Sequence, residues 1–407
     1  MSNSHLRDGL QLLHERDFRK LFCAHLVAWF GTSMAPIAMA FGVLQLTGSA
    51  RDTGVVVASQ TGAQVLGLLF GGVVADRVSR RRVMVSADLM AMLSQTTMAI
   101  AFVTGHATVP LLAALMICNG IALAFHAPAL VGFIPQVVEP EKLQAANALL
   151  GTARSGALTL GAACAGVLVA SFGSGPTIAI DALGFGIAAL LVSRIAATTL
   201  TTRRSTTMLE DLRSGWTEFV SHRWLWIIVL QFSLVVAAGQ SVYGLIGPTV
   251  ANQSMRGPAD WGFITAAFGA GTLCGGFAAL RINVVRPMLV ATNCVFVYAA
   301  PALLLAITPT VWLIAIATFA HGICNQIFAV LWYTTLHRKI PRDVLSRVSA
   351  YDNLGSIALA PLGIVVAGFL LESVGSRTTL LIAVAMAVIP TAIALLDRDV
   401  REVRLDS

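Results

Sequence analysis

Long apolar runs recur along the chain at 21–46, 54–75, 83–103, 109–135, 143–172, 177–192, 224–250, 261–280, 288–307, 311–336, 345–371 and 378–396. A run of roughly twenty such residues crosses the hydrocarbon core of a bilayer as a helix, because in lipid only a helix or a closed barrel satisfies every backbone N–H and C=O. The chain therefore reads as an all-α membrane protein with twelve transmembrane helices. Composition supports this: of 407 residues, 57% are hydrophobic and 12% charged, too few polar side chains to cover a surface facing water. The formal net charge of +7 does not mark a nucleic-acid face, since the charges sit in short clusters between the runs.

A polar stretch at 194–223 splits the runs into two sixes. The expected organisation is an N-terminal six-helix bundle (1–193), a central cytoplasmic linker (194–223) and a C-terminal six-helix bundle with a charged cytoplasmic tail (224–407). Within the linker, 208–220 has helical apolar spacing and reads as an amphipathic helix at the membrane surface. Twenty-three of the 27 lysines and arginines fall on one side of the spans. Arg51, Arg256 and Arg377 fall on the other, and Arg154 lies inside a span. The positive-inside rule then places both termini in the cytoplasm.

The halves also repeat. At an offset of 202 residues Asn119-Gly120 falls on His321-Gly322, Leu143 on Leu345, Gly166 on Gly368 and Gly173 on Gly375. At 204, Gly72 falls on Gly276 and Arg77 on Arg281, with Leu280 where an acid would match Asp76. Two pseudo-symmetric bundles suit a site exposed alternately to either side of the membrane. The six cysteines lie in apolar runs without CxxC or metal-ligand spacing and read as packing residues. No cleavable signal peptide, Walker A loop, cofactor motif or nucleophile–base pair is expected.

Between the second and third runs stands GVVADRVSRRR, with Gly72, Asp76, Arg77, Arg80, Arg81 and Arg82 in a short polar hinge. This stretch resembles the loop 2–3 signature GxLaDrxGrRr of the major facilitator superfamily, with Val74 and Ser79 departing from it. Further segments resemble the bacterial branch that exports drugs, macrolides and the siderophore enterobactin: Ala124–Ala129, Ile134-Pro135, Leu143–Ala148, Asp181–Phe185 and Ala360–Gly363. The resemblance covers nearly the whole chain. It implies a secondary transporter of the bacterial inner membrane that exports a small amphipathic molecule by rocking between two states, coupled to proton antiport. It implies no cofactor and no enzyme activity, and it fits a monomer whose partners are substrate, lipid and protons. Two antiporter signatures are missing: 111–119, before Gly120, holds no basic residue, and Gly161–Gly166 lacks Gly-Pro. An importer of a small solute and a non-transporting receptor or scaffold are the alternatives.

In such a fold the first, fourth, seventh and tenth spans line the central cavity. The resemblance thus assigns to it Trp29, Thr32, Asn119, His126, Gln231, Gln240, Tyr243, His321, Asn325 and Gln326. Ionisable groups inside spans are costly, so each is a functional candidate. For proton coupling these are Arg154, Asp181 and His321. Arg154 lies deep in the fifth span and either pairs with a buried acid or meets an anionic group of the substrate. Asp181 is a protonation site or a helix-packing carboxylate. Asp88 and Asp352 read as partners of nearby arginines, Arg82 for the first and Arg347 or the hinge for the second. Asp76 is placed to face a helix N-terminus and stabilise one closed state. Asp76→Asn is expected to fold normally and to abolish transport, which efflux from vesicles holding folded protein measures.

Overall fold

The computed structural model describes residues 11–196, 208–279, 281–282, 284–341 and 344–404; at 69–77, 208–214 and 346 it describes the backbone alone. The first six spans appear as α1 (Arg16–Thr47), α2 (Ala50–Arg77), α3 (Arg80–Val103), α4 (Val109–Val137), α5 (Leu143–Phe172) and α6 (Ser174–Ser193). The linker helix is α7 (Met208–Ser221). There follow α8 (Arg223–Ser241), a π turn (Val242–Ile246), α9 (Gly247–Ser254), α10 (Pro258–Ala279), α11 (Pro287–Val295), α12 (Ala300–Ile307), α13 (Val311–Lys339), α14 (Leu345–Ile357), α15 (Ala360–Leu396) and α16 (Arg398–Glu402). No strand is present among the described residues.

Ten segments among the described residues are long and apolar enough to cross a membrane, so the chain is a multi-pass membrane protein. The longest, Arg347–Leu396, is broken at Gly375, where φ is 80°. Gly173, between α5 and α6, has φ 83°. These two positions superpose in the sequence repeat, and each needs the left-handed conformation that glycine adopts without steric cost. Each is also followed by a threonine whose hydroxyl donates back to the glycine carbonyl, Thr177 at 3.0 Å and Thr379 at 2.8 Å. The repeat is thus visible in backbone conformation as well as in residue type.

The chain forms two compact units, Met1–Thr201 with Arg256–Ala266, and Thr202–Met255 with Ala267–Ser407. In the first unit α1 packs on α5 and α6, α2 on α4, and α3 on α4 and α6. Without water to drive association in lipid, helices gain by close approach, and small residues permit it. Gly120 of α4 presses on the Gln60 carbonyl of α2, and Gly67 of α2 faces Ala124. Gly166 of α5 lies against Gly262, which explains why the start of α10 belongs to this unit. The second unit repeats the device, with Gly322 of α13 against Phe268 and Gly271 of α10 against Phe319.

In the second unit α8 packs on α14 and α15, and α11 on α13. The linker helix α7 packs on α14, with Trp216 and Phe219 against Tyr351 at 5.4 and 6.0 Å between ring centroids. Part of its apolar side is held by protein, with Phe219 buried against Trp224 and Val348, while Trp216 and Val220 remain exposed.

A Cβ at position 120 would fall on the Gln60 carbonyl, so Gly120→Leu is expected to cost about 1–3 kcal/mol of stability by overpacking. Nothing lies within 4 Å of a Cβ at Gly156, and Gly156→Ala is expected to be neutral or to stabilise by about 0.5–1 kcal/mol. Thermal unfolding of the detergent-solubilised protein distinguishes the two.

Candidate functional site

The second unit holds an aromatic-walled cavity of about 220 Å³. Helical periodicity builds it. On α13, Asn325, Phe328, Ala329, Trp332 and Tyr333 follow the i, i+3, i+4, i+7, i+8 pattern and share one face. α8 contributes Phe232 from the face that also carries Val229 and Val236, and α14 contributes Asp352 and Ser356 one turn apart. Phe232 stacks on Phe328 with centroids 4.6 Å apart and planes 3° from parallel, and Phe328 continues to Trp332 at 6.1 Å and 12°. At the end of this ladder the Trp332 indole N–H donates to Asp352 Oδ2 at 2.9 Å.

Asp352 is buried, and its hydrogen bonds run to Trp332 and Ser356. The sequence-based pairing with Arg347 or the hinge arginines is thereby replaced. The reason is helical register: seven residues after Leu345, the carboxyl points to α13 and not along α14 toward its basic end.

Three of the expected cavity residues come together beside the ladder. Tyr243 sits in the π turn, and its hydroxyl is 2.9 Å from His321 Nδ1. The His321 ring lies 4.2 Å from that of Tyr298 and 5.0 Å from that of Phe268, and the Tyr298 hydroxyl donates to Asn325 Oδ1 at 3.3 Å. Asn325 also lines the cavity, so the polar chain Tyr243–His321–Tyr298–Asn325 reaches its wall. A π turn widens a helix by one residue, which is what turns Tyr243 toward α13. Gln231 is spent elsewhere, with its amide donating to Thr391 of α15 at 2.8 Å, and Gln326 faces Gly275 of α10. Gln240 is exposed.

In the first unit the predicted residues are dispersed. Asn119 accepts from Gln60 of α2 at 3.0 Å, and Trp29 and Thr32 are half-buried on α1. His126 Nε2 lies 3.3 Å from Asp88 Oδ1, so the partner of Asp88 is a histidine of α4 where the sequence suggested Arg82, whose side chain is exposed. Asp181 is fully enclosed; it accepts from Gln95 of α3 at 2.7 Å and lies against Gly31 of α1. Arg154 is exposed and forms no ion pair or hydrogen bond with described residues. The side chains of Gly72, Asp76 and Arg77 lie outside the described residues. Beyond them, Arg80 donates to the Gly132 carbonyl of α4 and Arg81 to the Ile195 carbonyl at 2.8 Å, while Arg82 donates its backbone N–H to the capping Ser79.

Sequence reasoning missed Phe232, Phe328, Trp332, Gln95 and His25. The 325–328–332 spacing was available as a signal, but it is equally the spacing of a packed core face. Gln95, a lone amide in an apolar span, was the clearest omitted signal. Gln95→Leu removes the donor from a fully buried carboxyl and is expected to destabilise the protein by about 1–3 kcal/mol, measured by thermal unfolding.

The model of the transmembrane secretion effector family matches residues 9–406 of the chain. Among curated relatives, the enterobactin exporter EntS of Escherichia coli O1:K1 / APEC is 25% identical over 367 residues, 85% of each chain. Macrolide efflux protein A of Streptococcus pyogenes is 22% identical over 373 residues, 88% of this chain and 90% of the relative. Among solved structures, a bacterial homologue of the human lysosomal transporter Spinster superposes with a TM-score of 0.74 at 14% identity, covering 100% of both chains. The nucleoside transporter NupG gives 0.74 at 12% identity, covering 93% of this chain and 98% of its own; both similarities concern the fold alone. With a family model spanning nearly all of its length and an all-helical transporter fold, the chain belongs to the transmembrane secretion effector family of the major facilitator superfamily.

Proposed function

We propose that this chain is a secondary active exporter of a small amphipathic molecule, such as a drug, a macrolide-like compound or a siderophore, driven by proton antiport. The observation that carries this reading is the stacked ladder Phe232–Phe328–Trp332 ending on the buried carboxyl of Asp352. Aromatic faces hold a large apolar body by contact area, while Asn325 and Asp352 provide the few polar contacts that fix its orientation. The two curated relatives, an enterobactin exporter and a macrolide efflux protein, support the direction. On this reading the protein lies in the bacterial inner membrane as a monomer with cytoplasmic termini and works by alternating access.

Everted membrane vesicles test it, with erythromycin and enterobactin as probes. An exporter accumulates a probe when the vesicle lumen is acid, and nigericin abolishes the accumulation. Uptake by right-side-out vesicles alone would make the chain an importer. Phe328→Leu keeps the position apolar but removes an aromatic contact worth about 1 kcal/mol. The half-saturating probe concentration is therefore expected to rise roughly fivefold, with the maximal rate little changed.

A further inference from the structure

The first unit contains a cluster of ionisable side chains that the aromatic cavity does not use. His25 of α1, Asp88 of α3 and His126 of α4 meet inside the bundle. Asp88 stands eight residues past Arg80, about 12 Å along the helix, and both it and His25 are buried. His126 Nε2 is 3.3 Å from Asp88 Oδ1, and the rings of His126 and His25 are 5.5 Å apart.

The hydrogen bonds fix where a proton can go. His25 Nδ1 lies 2.8 Å from the Leu21 carbonyl, which can only accept, so Nδ1 carries the hydrogen. The neutral ring then presents its lone pair at Nε2, which is buried with no partner among the described residues, and Asp88 Oδ2 is likewise buried with none among them. Two vacant proton acceptors thus flank a histidine–carboxylate contact. His126 keeps 19% of its side-chain surface exposed against 2% for Asp88, so its ring is the more open member of the pair.

Among the described residues, no basic side chain neutralises Asp88 from the helices packed around it. On α3 itself, Arg80 and Arg81 are engaged with backbone carbonyls and Arg82 is exposed. From α6 comes Asp181, held by Gln95; from α5, Arg154, which is exposed; from α1, Lys20, bound to Asp17. From α2 comes Gln60, held on Asn119, and the side chains of Asp76 and Arg77 at its end lie outside the described residues. A buried carboxylate without a cation is costly, so the pair retains a proton on one member or the other. Among the described residues, no group of His, Cys, Asp and Glu could hold a metal ion.

We propose that Asp88, His126 and His25 form the proton-carrying site of this transporter, an inference that rests on the antiport reading above. In the loaded state one proton is shared between Asp88 Oδ1 and His126 Nε2. His126 also carries a hydrogen on Nδ1; that proton leaves through the more open edge of the ring while the shared proton settles on Nε2, so that the ionised Asp88 accepts a hydrogen bond from neutral His126. His25 Nε2 is the second acceptor, beside the pair. This assigns the coupling role to a place distinct from Arg154, Asp181 and His321.

Two measurements test the proposal. The first uses the full-length protein in lipid nanodiscs with 13C-labelled histidine, and His126→Gln identifies the resonance. The His126 signal is expected to move between about pH 5 and pH 9, with a midpoint displaced by Asp88→Asn. A His126 signal constant over that range, or unaffected by Asp88→Asn, overturns the proposal and needs no transport substrate.

The second uses everted vesicles and erythromycin. Asp88→Asn and His126→Gln are each expected to abolish gradient-driven accumulation, and Asp88→Asn to leave gradient-independent counterflow near the wild-type rate, a split that a merely structural role would not produce. Gradient-driven accumulation at the wild-type level in both variants refutes the site and leaves antiport standing. Wild-type accumulation that ignores the gradient refutes antiport itself, and the proposed role with it.

Discussion

Satisfying the backbone without water is the constraint from which this structure follows. In hydrocarbon each N–H and C=O must be paired inside the protein, and the described residues meet that demand entirely with helices joined by short turns. Once the backbone is closed in this way, helices gain by approaching one another, and the contacts of Gly120 on the Gln60 carbonyl and of Gly322 on the Phe268 carbonyl are the result. The same economy fixes the sharp corners. Gly173 and Gly375 turn the chain with a left-handed backbone, and the threonine four residues later returns a hydrogen bond to the glycine carbonyl.

Polar side chains are then exceptions, and where they stand separates two kinds of work. In the first unit they are sequestered in cross-helix contacts, Gln60 with Asn119, Gln95 with Asp181, and His126 with Asp88. Each ties two spans together at depth. In the second unit they line up, as Tyr243, His321, Tyr298 and Asn325 run to the wall of an aromatic cavity closed by Asp352. One ancestral six-helix plan has thus kept its packing glycines in both copies while its polar chemistry has diverged. Substrate recognition in the second unit and proton handling in the first is a division of labour that fits this divergence.

Much of the fold was legible because its determinants are local. Apolar length defines a span, charge between spans defines the sides, and an offset of 202 residues exposes the repeat. The hinge around Asp76 and the segments matching the exporter branch carried the family, which the match over residues 9–406 bears out. The candidate site was less legible. Tyr243, His321 and Asn325 were named together and do meet, because two of them share one face of one helix. Gln231 and Gln326 were named for the same reason of polarity but are directed at Thr391 and at Gly275.

Sequence by itself determined the class of the molecule, its long apolar helices, its repeat and which costly ionisable residues stand within those helices, since each follows from composition over a short window. Only tertiary structure decided their partners. Asp88 meets His126 and not Arg82, Asp352 meets Trp332 and Ser356, and His25, unremarkable in the sequence, becomes a vacant acceptor beside the Asp88–His126 pair. The physical reason is rotation. A residue's depth in a span is set by counting along the chain, whereas the neighbour it faces depends on how each helix is turned about its axis, which is fixed by packing against helices tens to hundreds of residues away.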